Sequence, residues 1–120
     1  MKFIFDNDKP IYIQLVEQLE KCIISGNIKS GEKLPSVREL ASQAKVNPNT
    51  VQKALQELED KELIYTERTN GKFVTHNISL IEKYKKNYAK QLTSKYVLDM
   101  QSIGISISQV IECLKEYGGE

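Results

Sequence analysis

The chain has 120 residues, 40% of them hydrophobic and 28% charged, which leaves room for one ordinary domain or a small domain with a helical appendage. No apolar run is long enough to span a bilayer, and Met1-Lys2-Phe3-Ile4-Phe5-Asp6 turns acidic too soon for a signal peptide, so a cytosolic location is expected. The net charge of +1 excludes a uniformly basic polyanion binder but not a local one, because phosphate contact needs positive charge on one face.

The first helix is signalled by Asp8 as N-cap and Pro10 in the first turn. Ile11, Leu15, Leu19, Cys22 and Ile23 recur at helical spacing, and Gly26 suits the left-handed position that ends a helix. Ile28 anchors the loop that follows, and Gly31 is a second turn residue. Ser36 and Glu39 form a Ser-x-x-Glu capping box, so Ser36 opens a short second helix with Val37, Leu40, Ala41 and Ala44 as its buried stripe. A third helix starts almost at once, with Asn47 as N-cap and Pro48 at its first position. Val51, Ala54, Leu55 and Leu58 give it one buried face. Two short helices joined by so tight a turn are the signature of a helix-turn-helix.

Residues 63–69 are rich in strand formers, and Asn70-Gly71 joins them to Lys72-Phe73-Val74-Thr75. That pattern predicts a two-residue β-hairpin, the wing. Beyond His76, Ile81, Tyr84, Tyr88, Leu92 and Tyr96 predict a long amphipathic helix from about Ser79 to Ser102. Gly104 breaks it. Ser106 and Gln109 form another capping box, and Ile107, Val110, Ile111 and Leu114 mark a short last helix. The expected architecture is therefore mainly α with a small β-hairpin: a winged helix-turn-helix over residues 1–77 and a two-helix dimerisation segment over residues 78–120.

In such a fold the second helix of the pair enters the major groove of DNA with its N-terminal residues against the base edges. With the buried face assigned, the outward positions are Asn49, Thr50, Gln52 and Lys53, with Gln56 one turn on. Asn and Gln can bond bidentately to adenine, Thr can touch a thymine methyl, and Lys suits a phosphate or guanine. Arg38, beside Ser36 in the first turn of the preceding helix, can reach backbone or base. Lys33, Lys45, Arg68 and Lys72 supply positive charge from loops and wing. Glu57, Glu59, Asp60 and Glu62 are expected to point away from the groove. Asn70 and Gly71 would bring wing backbone beside the minor groove, although a tight turn needs that glycine in any case.

These residues resemble the GntR family of bacterial regulators. The likeness runs from Pro10-Ile11-Tyr12 through Gln14, Ile23, Gly26 and Gly31 to the stretch Leu34-Pro35-Ser36-Val37-Arg38-Glu39-Leu40-Ala41. It continues through Thr50-Val51, Ala54-Leu55 and Leu58-Glu59 to Leu63-Ile64 and Gly71-Lys72-Phe73-Val74. The segment from Val46 to Gln52 and the short helical C-terminal part look like the YtrA-type branch. The resemblance implies a homodimer on an inverted-repeat operator, usually repressing, with DNA contacts at Arg38, Asn47, Asn49, Thr50 and Gly71. Two positions depart from the family: Pro48 stands where many members outside this branch carry a base-reading arginine, and Glu62 replaces the usual glycine before the wing.

A helix with stripe tyrosines at 84, 88 and 96 exceeds what so small a domain can cover, so a second copy is expected against Ile81, Tyr84, Tyr88, Leu92, Tyr96, Ile107, Val110, Ile111 and Leu114. Two recognition helices would then meet major grooves about 34 Å apart. The competing reading is a winged helix that binds protein and shows no salt-dependent DNA binding. An enzyme is not expected: His76 is the sole histidine, no Cys/His cluster has metal-ligand spacing, and no nucleophile–base pair emerges. Cys22 and Cys113 read as reduced, buried thiols. No cofactor, metal or membrane partner is expected, and a small-molecule effector is left open.

Overall fold

The computed structural model describes residues 2–119. Its elements are α1 (Ile11–Ile24), α2 (Val37–Ala44), α3 (Pro48–Asp60), β1 (Ile64–Glu67), β2 (Gly71–Val74), α4 (Ile78–Ser102) and α5 (Ile107–Tyr117). The chain forms two compact units that divide between Lys83 and Tyr84. The division falls inside α4 because Ile81, in its first turns, is buried with the first unit.

In the first unit three helices close one core. Leu15, Leu19 and Ile23 of α1, Leu40 of α2, and Val51, Leu55 and Leu58 of α3 are all essentially inaccessible to water. α1 does not use Asp8 as its cap. The N-cap is Pro10, which brings no side-chain hydrogen bond, while the Asp8 backbone N–H donates to Asp6 Oδ1 at 2.9 Å. Gln14 instead secures the entering chain. Its side chain accepts from the Asp6 N–H and donates to the carbonyls of Asp6 and Lys9, so an amide near-buried in α1 is fully used. Gln18 holds Ile4 in the same way through both N–H and C=O.

The caps of α2 and α3 form as the sequence predicts. Ser36 accepts from the Glu39 N–H and Glu39 reaches back to the Ser36 N–H. The Asn47 side chain accepts from the Asn49 N–H, with Pro48 at the first helical position. Only Lys45, in the left-handed conformation with φ 57°, and Val46 separate the end of α2 from that cap. A turn this short forces the two helices to pack against each other at a steep angle.

The wing is antiparallel in the register Ile64↔Val74, Tyr65↔Phe73, Thr66↔Lys72 and Glu67↔Gly71. Its loop is therefore Arg68-Thr69-Asn70, three residues rather than the two expected of Asn70-Gly71. The Asn70 N–H donates to the Glu67 carbonyl, and Gly71 follows with φ 104°, a tight turn completed by one glycine. Residues 31–34 run along the outer edge of β2: the Leu34 N–H donates to the Lys72 carbonyl, and Val74 exchanges bonds with Gly31 and Glu32. Glu62, where the family glycine is missing, nonetheless takes the left-handed conformation with φ 63°. This is a backbone conformation that glycine adopts at no cost and a residue with a side chain adopts with strain.

The second unit contains α4 from Tyr84 onward and α5. The capping box of Ser106 and Gln109 starts α5. Among the described residues of this unit, only Val110 is buried. Leu92, Tyr96, Leu98, Ile103, Ile107, Ile111, Leu114 and Tyr117 are all exposed.

Candidate nucleic-acid interface

The geometry of α3 follows from its caps and its core. Val51, Ala54, Leu55 and Leu58 are buried, so the helical repeat turns Asn49, Gln52, Lys53 and Gln56 outward, and all four are exposed. Thr50, half-buried, stands beside them. The first turn of α3 thus presents an amide, a hydroxyl, a second amide and an ammonium group in succession. Arg38, the second residue of α2, is exposed.

Ser36 and Asn47, both expected contact residues, are engaged within the fold. The side-chain oxygens of Ser36 and Asn47 cap their own helices; Asn47 keeps its amide donors for any ligand, while the Ser36 hydroxyl is also turned to the Glu39 carboxyl. Pro48 is exposed and has no side-chain polar atom. Its place is structural, since its ring fixes the backbone at the start of α3. Hydrogen bonds from the Ser36 backbone and hydroxyl hold the Glu39 carboxyl below its ordinary pKa.

Lys53 is placed by Tyr12 of α1, to which helical spacing assigns no role in the site. Its Nζ lies 3.9 Å from the centre of the Tyr12 ring on α1, a cation–π contact that steers a flexible side chain. Tyr12 belonged to the Pro10-Ile11-Tyr12 signature, and the only signal of its role was that an aromatic ring stood on the first turn of a helix.

The wing divides its residues. Arg68, Asn70 and Gly71 are exposed at the tip, with the Asn70 amide bonded to Glu67 at 3.1 Å. Lys33 from the neighbouring loop packs over Gly71, where a Cβ would lie 3.1 Å from Lys33 Cε. Lys72 faces inward: its Nζ is 3.1 Å from Glu59 Oε1 on α3 and 2.8 Å from Thr66 Oγ1. Thr66 also donates to Glu59. Glu59 therefore leans onto the wing instead of standing clear of it. The Thr66 hydroxyl, with help from the Lys72 ammonium, holds its carboxyl below the ordinary range against the opposing effect of burial.

On the opposite face of the hairpin Tyr65 stacks on Phe73 and its hydroxyl lies 3.0 Å from His76 Nε2. Cys22 and Cys113 are free and half-buried, and burial pushes the Cys22 thiol pKa up. Among the described residues no group of His, Cys, Asp or Glu could hold a metal ion, and no single helix is long and apolar enough to cross a membrane. Of the residues expected at a dimer interface, Ile81 and Val110 are buried within their own chain, Tyr84 and Tyr88 are half-buried, and Leu92, Tyr96, Ile107, Ile111 and Leu114 are exposed.

The comparisons agree with this arrangement. The chain is 36% identical over 113 residues to the HTH-type transcriptional repressor YtrA of Bacillus subtilis, covering 92% of this chain and 86% of that protein. A GntR family transcriptional regulator from Listeria monocytogenes superposes with a TM-score of 0.86 at 43% identity, covering 93% of this chain and 98% of the other. The DNA-binding domain of AraR, solved in complex with operator ORX1, superposes with a TM-score of 0.58 at 29% identity, over 62% of this chain and 96% of that one. The sequence pattern described as bacterial regulatory proteins, gntR family, matches residues 11–74, and with a near full-length relative at 36% identity this chain belongs to the GntR family.

Proposed function

We propose that this protein is a transcriptional repressor that binds an inverted-repeat operator as a homodimer, inserting the N-terminal half of α3 into the major groove. The carrying observation is the division of α3 into a buried face of Val51, Ala54, Leu55 and Leu58 and an outer face of Asn49, Gln52, Lys53 and Gln56. Asn49, Thr50 and Gln52 read bases, while Lys53, steered by Tyr12, and Arg38 meet phosphate or guanine. Asn47 adds amide donors from the start of α3, Ser36 caps the helix that carries Arg38, and Pro48 sets the backbone at the first position of α3. Arg68, Asn70 and Gly71 bring the wing tip to the adjacent minor groove.

AraR, a relative of this fold, is seen with its operator, and the B. subtilis YtrA protein is a named repressor, which supports both the DNA partner and the sign of regulation. The homodimer is supported by the uncovered apolar side chains of the second unit. Such a face costs about 25 cal/mol for each Å² left in water, and a symmetric pair would bury it.

The test is a gel-shift series on DNA from upstream of the protein's own gene, at two salt concentrations. Arg38→Ala and Thr50→Ala should each weaken binding by about 1–3 kcal/mol while the oligomeric state stays unchanged. Full affinity in both variants would remove the assignment. Wild-type protein with no salt-dependent binding would favour a protein-binding winged helix instead.

A further inference from the structure

The wing has an inner and an outer half with respect to α3. Alternation along the strands puts Ile64, Thr66, Lys72 and Val74 on one face of the hairpin. Ile64 and Val74 are buried and weld the base of the wing to the core. The next pair outward, Thr66 and Lys72, directly opposite each other in register, is polar, so apolar packing against the helices stops there. The outer part of β2 is still tied by its backbone to residue 34. Among the described hydrogen bonds, the outer part of β1 is tied to the helical core by Glu59 alone, which accepts from Thr66 on β1 and from Lys72 on β2. Lys72 completes the ring by donating to Thr66. Both charged side chains are only about a quarter exposed, 25% for Glu59 and 29% for Lys72, so their attraction is screened less than that of a surface pair.

We propose that Glu59 is the positioning residue of the wing, fixing the angle at which Arg68-Thr69-Asn70 stands to the first turn of α3, and that Lys72 serves this clasp and not the DNA. The inference rests on the DNA-binding reading. The clasp lies at the last turn of α3 and the proposed base contacts at its first, so one rigid helix connects them. A wing free to swing at residue 66 would move its tip more than its base. The operator would then meet a range of wing positions, while any duplex could still be gripped by charge.

The experiment compares the full-length wild type with Glu59→Ala, Glu59→Gln, Lys72→Ala and the Glu59→Ala/Lys72→Ala double variant. Each is titrated against a labelled duplex from upstream of its own gene and a random duplex of equal length, over a salt series. Glu59→Ala should lower the preference for the upstream duplex about tenfold. Its random-duplex binding should hold or tighten, with a salt slope steeper by about one as Lys72 is released to phosphate. Glu59→Gln, which still offers Thr66 an acceptor, should fall between. Lys72→Ala should also lose preference, and the double variant should be no worse than the poorer single one. A role in stability alone would weaken both duplexes equally and leave their ratio intact, which overturns the proposal. So does Glu59→Ala tightening both duplexes while Lys72→Ala weakens both with a shallower slope, since Lys72 would then be a phosphate contact. Wild-type protein without salt-dependent binding would sink the DNA reading itself, a distinct failure. If circular dichroism shows Glu59→Ala unfolded, Thr66→Val, which keeps a branched strand former and removes only the hydroxyl, carries the same test with a several-fold loss expected.

Discussion

The two units of this chain solve the problem of burial in opposite ways. The first encloses a core: Leu15, Leu19, Leu40, Leu55, Leu58 and Leu63 are essentially inaccessible to water, and among the described residues no buried side-chain polar atom lacks a partner. The second covers Val110 and leaves Ile107, Ile111 and Leu114 along one side of α5 open. These positions follow i, i+4 and i+7, a continuous stripe on a helix. One unit is a finished core; the other leaves a stripe of apolar side chains on α5 exposed. The lesson is that a helix pattern read from sequence predicts which residues seek burial, not whether the same chain provides it.

The largest effect should come from opening the finished core. Leu55→Ala removes a side chain 1% exposed and should destabilise the protein by about 2–5 kcal/mol, read from urea unfolding followed by circular dichroism. A loss below about 1 kcal/mol would show that the first unit tolerates voids and is less closed than its burial implies.

A smaller effect, of another kind, should follow at the open stripe. Ile111→Asp places a charge where the isolated chain already meets water, so the secondary structure of the first unit should be kept. The proposed homodimer should weaken by about 1.4–2.7 kcal/mol, roughly tenfold to a hundredfold in dissociation constant, measured by sedimentation equilibrium. An unchanged association constant would mean that α5 is not the contact surface, and the comparison between units would lose its explanation.

The smallest effect concerns the junction between α3 and the wing. Glu62→Gly relieves a left-handed conformation costing about 1–2 kcal/mol in a residue with a side chain, and gives back roughly 0.5–1 kcal/mol through the freer unfolded chain. The balance is a stabilisation of up to about 1.5 kcal/mol, visible as a higher unfolding midpoint in the same urea experiment. Destabilisation would show that the Glu62 side chain contributes something beyond the turn.

Much of this was legible in the residues. Capping boxes at Ser36 and Ser106 and the cap at Asn47 are local, and local hydrogen bonds follow from spacing alone. The apolar periods of α2 and α3 fixed their outer faces for the same reason. What escaped was set by contacts across the chain. Asp8 had the chemistry of a cap, but Gln14 had already captured the chain on either side of it. Asn70-Gly71 read as a two-residue turn, but the pairing of Glu67 with Gly71 lengthened the loop by one. Glu59 is expected with its acidic neighbours to point away from the groove, and nothing in the helical spacing announces its partners on the wing, Thr66 and Lys72. Lys53 looked like any exposed lysine, because the ring beneath it lies on a helix forty residues earlier in the chain.

Gly31 has a consequence for watching this molecule at work. A Cβ there would lie 2.6 Å from Cε1 of His76, so the imidazole sits directly on bare backbone while Tyr65 holds its other side. As the chain has one histidine, its ring protons give a single pair of magnetic-resonance signals, recorded without any label. That pair is seated between Tyr65 of the hairpin and the Gly31 backbone, where a shift in ring environment during titration with a duplex would be read directly.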